Sequence, residues 1–179
     1  MNESKLETLY QGKYLQMVRQ GRWEYVERVR VTGVVGIVAM TEQRKVILTE
    51  QFRIPIGKTA IELPAGLAGD IVGAELEDLT EAARRELLEE TGYDATHFEL
   101  LTIGPTSAGL TNELIHLYLA TGLHRVSDGG GDESEEIIVH EIPLDALPAW
   151  LLGKTAEGCL IDTKVFAAMY FLGATRKPA

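Results

Sequence analysis

The sequence predicts an α+β fold, a mixed β-sheet flanked by helices in an α/β/α sandwich, with an antiparallel hairpin at the N-terminus. Strand-like segments come in runs, with helical segments between and after them, which is the order of an α+β chain. Two stretches anchor the prediction. VTGVVGIVAM, Val31 to Met40, is a continuous apolar run of the kind that makes a buried strand. RRELLEETG, Arg84 to Gly92, is built of good helix formers and stopped by a glycine.

The elements follow in order. Thr8 to Val29 alternates loosely and is rich in aromatic residues, so it reads as two strands turning at Gln20-Gly21. After Val31–Met40 comes a second apolar strand, Lys45 to Arg53, and then a short one, Thr59 to Leu67, ending at Pro64. A helix is predicted from about Leu76 to Thr91, with Leu76, Ala83 and Leu87 on its core stripe. FELLTIG and LIHLYLATGL read as strands flanking the loop Pro105 to Glu113. SDGGGDESEE, Ser127 to Glu136, reads as an acidic loop, and Glu136 to Leu144 as the strand after it. LDALPAWLLG reads as a short helix, and Asp162 to Gly173 as a final helix with Asp162 as its N-cap.

The bulk properties narrow the function. The 179 residues suit one compact domain with a real core. Apolar residues make up 45% and charged residues 25%, as in an ordinary globular protein. The net charge of −10 argues against a nucleic-acid partner and fits a polyanionic substrate only if cations intervene. Cys159 is the single cysteine, so no intrachain disulfide and no cysteine-built zinc site can form, and a reducing cytoplasm is expected. The N-terminus does not read as a signal peptide, and no apolar stretch approaches the roughly 18 residues of a membrane span.

The helix Arg84 to Thr91 carries the chemistry. Glu86 and Glu90 are four apart and share a face, where like charges repel. The last turn of a helix is also the end its dipole makes unfavourable for carboxylates. Arg85, Glu86, Glu89 and Glu90 span an arc of roughly 140° at about 100° per residue, beside the core stripe. Three carboxylates therefore point towards one cleft, and a divalent cation would offset their repulsion. Magnesium prefers a few carboxylate oxygens, waters and substrate phosphates.

The segment Arg85-Glu86-Leu87-Leu88-Glu89-Glu90-Thr91-Gly92-Tyr93 resembles the second half of the Nudix hydrolase signature, with Tyr93 at its apolar position. Glu77 stands where the signature requires a glutamate, with seven residues between it and Arg85. The signature glycine should fall at Ile71. Gly66, in ELPAG, looks like that glycine displaced by a longer loop, with Gly73 a weaker candidate. The segment EQFRIPIGKTAIELPAG is similar to the one preceding the motif in the branch that hydrolyses ADP-ribose and other nucleoside-diphosphate sugars. That branch usually shows Ser-Pro-Gly after the motif. Here the sequence is Ser107-Ala108-Gly109, which keeps another nucleotide sugar, such as GDP-mannose, open.

The resemblance implies a Nudix fold over residues 31–179 and a dimerisation and substrate-site hairpin over residues 1–30. It implies hydrolysis of a diphosphate linkage with Mg2+, or with Mn2+, in a homodimer; with the composition above, a cytoplasmic protein with no membrane partner is expected. Glu86, Glu89 and Glu90 would be metal ligands, joined by the Ala65 carbonyl. Arg85 would hold the motif together, through Glu77 or a neighbour. A loop glutamate, Glu133, Glu135 or Glu136, would be the general base, with Glu133 favoured and Glu135 near the metal; Glu89 stands with the catalytic set. Arg53 is expected at the phosphates, Arg28 beside it, Trp23 and Tyr25 stacking on a nucleobase, and Glu113 at the ribose or base side. The four histidines, His97, His116, His124 and His140, read as structural or exposed. The alternatives are a dinucleoside-polyphosphate hydrolase and a non-catalytic nucleotide-sugar sensor.

Overall fold

The computed structural model describes residues 5–71, 73, 75–131 and 136–174. The N-terminal segment is a three-stranded antiparallel sheet, β1 (Leu6–Gln11), β2 (Leu15–Gln20) and β3 (Trp23–Arg28). This corrects the expected pair of strands. A second reversal occurs at Gly12-Lys13-Tyr14, where Gly12 N donates to Leu15 O at 2.8 Å. The expected reversal after Gln20 is present, with Gly21 at φ 61° supplying the left-handed backbone.

The large sheet begins with β4 (Gly33–Met40), β5 (Lys45–Arg53), β6 (Lys58–Glu62) and β7 (Ala65–Ala68). The expected strand Thr59–Leu67 is thus two, because the chain breaks at Leu63-Pro64. β8 (Tyr93–Pro105) and β9 (Leu114–Arg125) form a long hairpin, followed by β10 (Ile137–Pro143) and the short β11 (Leu160–Ile161). The sheet has eight strands, in the order β11-β6-β5-β4-β9-β8, with β10 on β5 and β7 on β4. β4 pairs with β5 only at Ala39 and Met40. Beyond that point the two strands part. β7 takes the free edge of β4 at Gly33–Gly36, and β6 pairs with β5 from Thr49 to Arg53. This fork opens the space in which the candidate site lies.

Helix α1 (Leu79–Thr91) covers one face, and α2 (Leu147–Ala156) and α3 (Thr163–Ala174) cover the other. The alternation of β4 decides which residue goes where. Val35, Ile37 and Ala39 pack with Ala82, Ala83 and Leu87 of α1, whereas Val38 packs with Leu147, Leu151, Val165 and Leu172. Helix α1 starts three residues later than expected. Asp78 is extended (φ −66°, ψ 142°) and its side chain accepts from Thr80 N at 2.8 Å, an N-cap that ends the helix there. Leu76 therefore lies outside the helix and is 95% exposed, not a core residue. Asp162 does cap α3, its carboxylate accepting from Lys164 N at 2.7 Å.

Candidate active site

The site is built where β7 crosses α1. Ala65 N donates to Glu90 Oε2 at 3.1 Å and Leu67 N donates to Glu86 Oε1 at 3.2 Å. Two carboxylates one helical turn apart thus straddle one short strand. Gly66 lies between them, and a Cβ there would fall 1.9 Å from Glu86 Cδ. Only glycine lets strand and helix come this close.

Arg85 organises the same wall. Its Nε and Nη2 each donate to Glu77 at 3.0 Å, a two-pronged pair, and Nη2 also reaches Leu67 O at 2.8 Å. Nη1 donates to Glu86 at 2.8 Å and to Glu89 at 3.2 Å. The pair with Glu77 raises the guanidinium pKa further, and the same bonds hold Glu77 below the ordinary carboxylate range. Arg85 thus answers part of the repulsion among the glutamates, through Glu86 and Glu89. Burial pushes the Glu86 carboxyl up to about 7; Arg85 opposes that shift and Glu89 adds to it.

A cavity of about 770 Å³ opens over this wall, lined by Glu86, Glu89 and Glu90 together with the Ala65–Leu67 backbone. Arg53, Arg28 and Glu113 line it too. Arg53 Nε donates to Glu62 Oε2 at 2.6 Å, and Arg28 forms an ion pair with Glu113. Trp23 and Tyr25 are not among the lining residues; Trp23 is 57% exposed, with the Arg22 guanidinium 5.7 Å from its ring centroid. Glu136 is exposed just before β10 and does not line the cavity, and Glu133 and Glu135 lie outside the described residues. Sequence reasoning missed Glu62, Asp70 and Lys164, which also line it. Lys164 arrives from α3, whose N-cap was legible, but nothing local in the sequence aims it at β6.

The acidic loop is anchored beside the site. Gly130 N donates to Glu90 O at 2.8 Å and Gly131 N to Glu89 O at 3.1 Å, while Val126 N and Ser127 N use Gly92 O. These bonds satisfy carbonyls that the end of a helix leaves open. Gly131 itself lines the cavity.

Among the described residues, no three acidic, histidine or cysteine side chains are gathered into a ready metal cage. The donor set still fits a hard divalent cation. Its carboxylate oxygens line one wall, the backbone of Ala65 is beside them, and partial burial disfavours the Glu86 charge that a cation would stabilise.

A NUDIX domain model matches residues 30–159. A methanol dehydrogenase activator from Bacillus methanolicus is 33% identical over 175 residues, covering 94% of this chain and 90% of the relative. An ADP-ribose pyrophosphatase from Bacillus subtilis (strain 168) is 32% identical over 173 residues, covering 93% of this chain and 89% of that protein. A crystal structure of an ADP compounds hydrolase superposes with a TM-score of 0.60 at 22% identity, over 81% of this chain and 80% of that one, and shares the fold. The motif on α1, the strand it grips and the matched domain lead to one conclusion: the chain belongs to the Nudix family.

Proposed function

We propose that this protein is a divalent-cation-dependent pyrophosphatase. It hydrolyses the diphosphate bond of a nucleoside-diphosphate sugar, with ADP-ribose as the leading substrate. The observation that carries the reading is the grip of Glu86 and Glu90 on the β7 backbone, which sets the family's motif as the wall of a large cavity.

Glu86, Glu89 and Glu90, with the Ala65 carbonyl, would hold magnesium. When bound, the cation neutralises phosphate charge and lowers the pKa of a bound water. Arg85 holds Glu86 and Glu89 in place and ties them to Glu77. Arg53 and Lys164 line the cavity as cations for the phosphates, each steadied by a carboxylate, Glu62 and Asp162. The general base is assigned to Glu133, with Glu135 towards the metal. What supports this is the docking of Gly130 and Gly131 on the end of α1, which brings the chain to the cavity two residues before Glu133. A homodimer is the proposed assembly. Tyr10, Tyr14 and Trp23 are 70%, 68% and 57% exposed on or beside the N-terminal sheet, a large apolar surface for one chain to leave open. Ala108 in place of proline favours testing a second nucleotide sugar alongside ADP-ribose.

The test is product analysis with magnesium on ADP-ribose, ADP-glucose, GDP-mannose and a dinucleoside polyphosphate. Nucleoside monophosphate is expected from a nucleotide sugar. Glu90→Gln should lower kcat by about 100-fold or more, a loss of about 3 kcal/mol of transition-state stabilisation. EDTA should abolish turnover. Activity that survives both controls would remove the metal wall from the mechanism.

A further inference from the structure

The acidic loop leaves β9 through a cluster of side chains that the candidate site does not use. Tyr93, at the start of β8, pairs with Arg125, the last residue of β9. The Tyr93 hydroxyl donates to Glu141 Oε1 of β10 at 2.5 Å, and Lys45 Nζ of β5 donates to Glu141 Oε2 at 3.1 Å. Glu141 thus joins β5, β8 and β10. Arg125 turns from this anchor towards the loop. Its Nη1 lies 3.7 Å from Glu141 Oε1, and its guanidinium 5.7 Å from the Tyr93 ring centroid. Its Nε donates to Ser127 O at 3.2 Å, and its Nη2 lies 3.6 Å from Asp128 Oδ1.

The segment that Arg125 grips is the one docked on the end of α1. A Cβ on Gly92 would fall 2.2 Å from Ser127 O, and one on Gly129 would fall 2.3 Å from the Thr91 carbonyl carbon, so the two backbones touch. Gly130 N and Gly131 N then donate to the carbonyls of Glu90 and Glu89. The side chains of these same two residues line the candidate cation wall. A last turn whose carbonyls lack partners frays, and fraying here would move both carboxylates relative to β7. The two loop N–H groups also set the positive ends of their dipoles at the negative end of the helix, which eases the repulsion felt by Glu89 and Glu90.

We propose that Arg125 is a positioning residue for cation binding. By holding Ser127 against the end of α1, it keeps Gly130 and Gly131 bonded to the backbones of Glu90 and Glu89. The proposal rests on the reading above that the α1 carboxylates hold a divalent cation. Arg125 does not line the cavity, so it acts through the loop backbone. A docked helix end presents both carboxylates in place, and the apparent cation affinity therefore scales with the docked fraction. Glutamine at this position has no fork to span Glu141 and Ser127. Lysine keeps the charge but donates from a single point.

The experiment compares the full chain as wild type, Arg125→Gln, Arg125→Lys and Glu50→Gln. Amide hydrogen exchange in EDTA reads the docking. Titration with Mn2+ alone, followed by electron paramagnetic resonance, reads the cation site without substrate. Arg125→Gln should speed exchange at Val126, Ser127, Gly130 and Gly131. It should also weaken Mn2+ about five- to tenfold, the size of one hydrogen bond to a charged group at a half-exposed site. Arg125→Lys should recover part of both. Glu50→Gln loses an ion pair with Lys154 of α2, and should lower Tm while leaving the loop amides and the Mn2+ affinity as they are. Faster exchange in Arg125→Gln with wild-type Mn2+ affinity would overturn the proposal and leave the cation reading standing. Unchanged exchange would overturn it too. A wild type whose loop amides are protected but which binds no Mn2+ would remove the cation reading, and the proposal with it.

Discussion

Gly66 and Arg85 show how single residues make this site. The Gly66 position admits no side chain, because its Cβ would meet the Glu86 carboxylate. Gly66→Ala must push either β7 or the glutamate aside, an overpacking loss of about 1–3 kcal/mol. Urea denaturation should show that loss, and kcat should fall more than stability, since the displaced carboxylate is a proposed metal ligand. Arg85 makes two parallel bonds to Glu77 while still reaching Glu86 and Glu89. Lysine is a single point donor and cannot do both. Arg85→Lys should lower stability by about 1–3 kcal/mol and reduce activity without changing the metal requirement. A variant with wild-type stability and activity would show that the fork does not organise the wall.

At the scale of elements, one docking event joins the acidic loop to α1. Gly129 is at φ 68°, and a Cβ there would lie 2.3 Å from the Thr91 carbonyl carbon. Gly129→Ala should therefore undock the loop from the helix end. The expected result is a clear drop in kcat with a small change in Tm, because the loop covers little of the core. A large drop in Tm with unchanged kcat per folded molecule would mean that the loop serves only the fold. The helix side of this pairing was legible: Gly92 was expected to stop α1, and it does so with φ 74°. The loop side was not, since nothing in SDGGGDESEE states that its glycines meet helix carbonyls. The N-terminal region shows the same limit. The turn at Gly21 carried a recognisable signal, but Gly12-Lys13-Tyr14 sits between two mostly exposed strands whose alternation is weak. One reversal was therefore read where two exist.

The whole molecule responds to acid through carboxylates scattered over its elements. Burial alone would push Glu50 up, but bonds from Lys154 at 2.9 Å and His140 at 2.8 Å bring it below its ordinary 4.5. Bonds from Tyr93 and Lys45 do the same for Glu141, and Arg85 does so for Glu77. These groups bind fewer protons folded than unfolded. Their stabilisation is therefore complete above the unfolded value of 4.5 and is lost as pH falls through the folded values. Urea midpoints should fall progressively once the pH drops below about 4.5, and Glu86, raised to about 7, works the other way, so midpoints should also fall as the pH rises from about 4.5 to about 7. Glu50→Gln should be less stable at neutral pH and lose less on acidification. An equally steep acid loss in that variant would show that Glu50 does not contribute.

The sequence by itself determined the family, the alternation of the core strands and the three carboxylates of α1, because helical spacing alone puts Glu86 and Glu90 on one face. It also named Arg53, Arg28 and Glu113 from their places in the chain. Only the tertiary structure decided what those groups meet. The β7 backbone between Glu86 and Glu90, Glu62 on Arg53, and Lys164 from the last helix all depend on how distant segments pack. Local pattern records which face a residue occupies, whereas the neighbour across that face is set by sheet register and by the fork between β4 and β5.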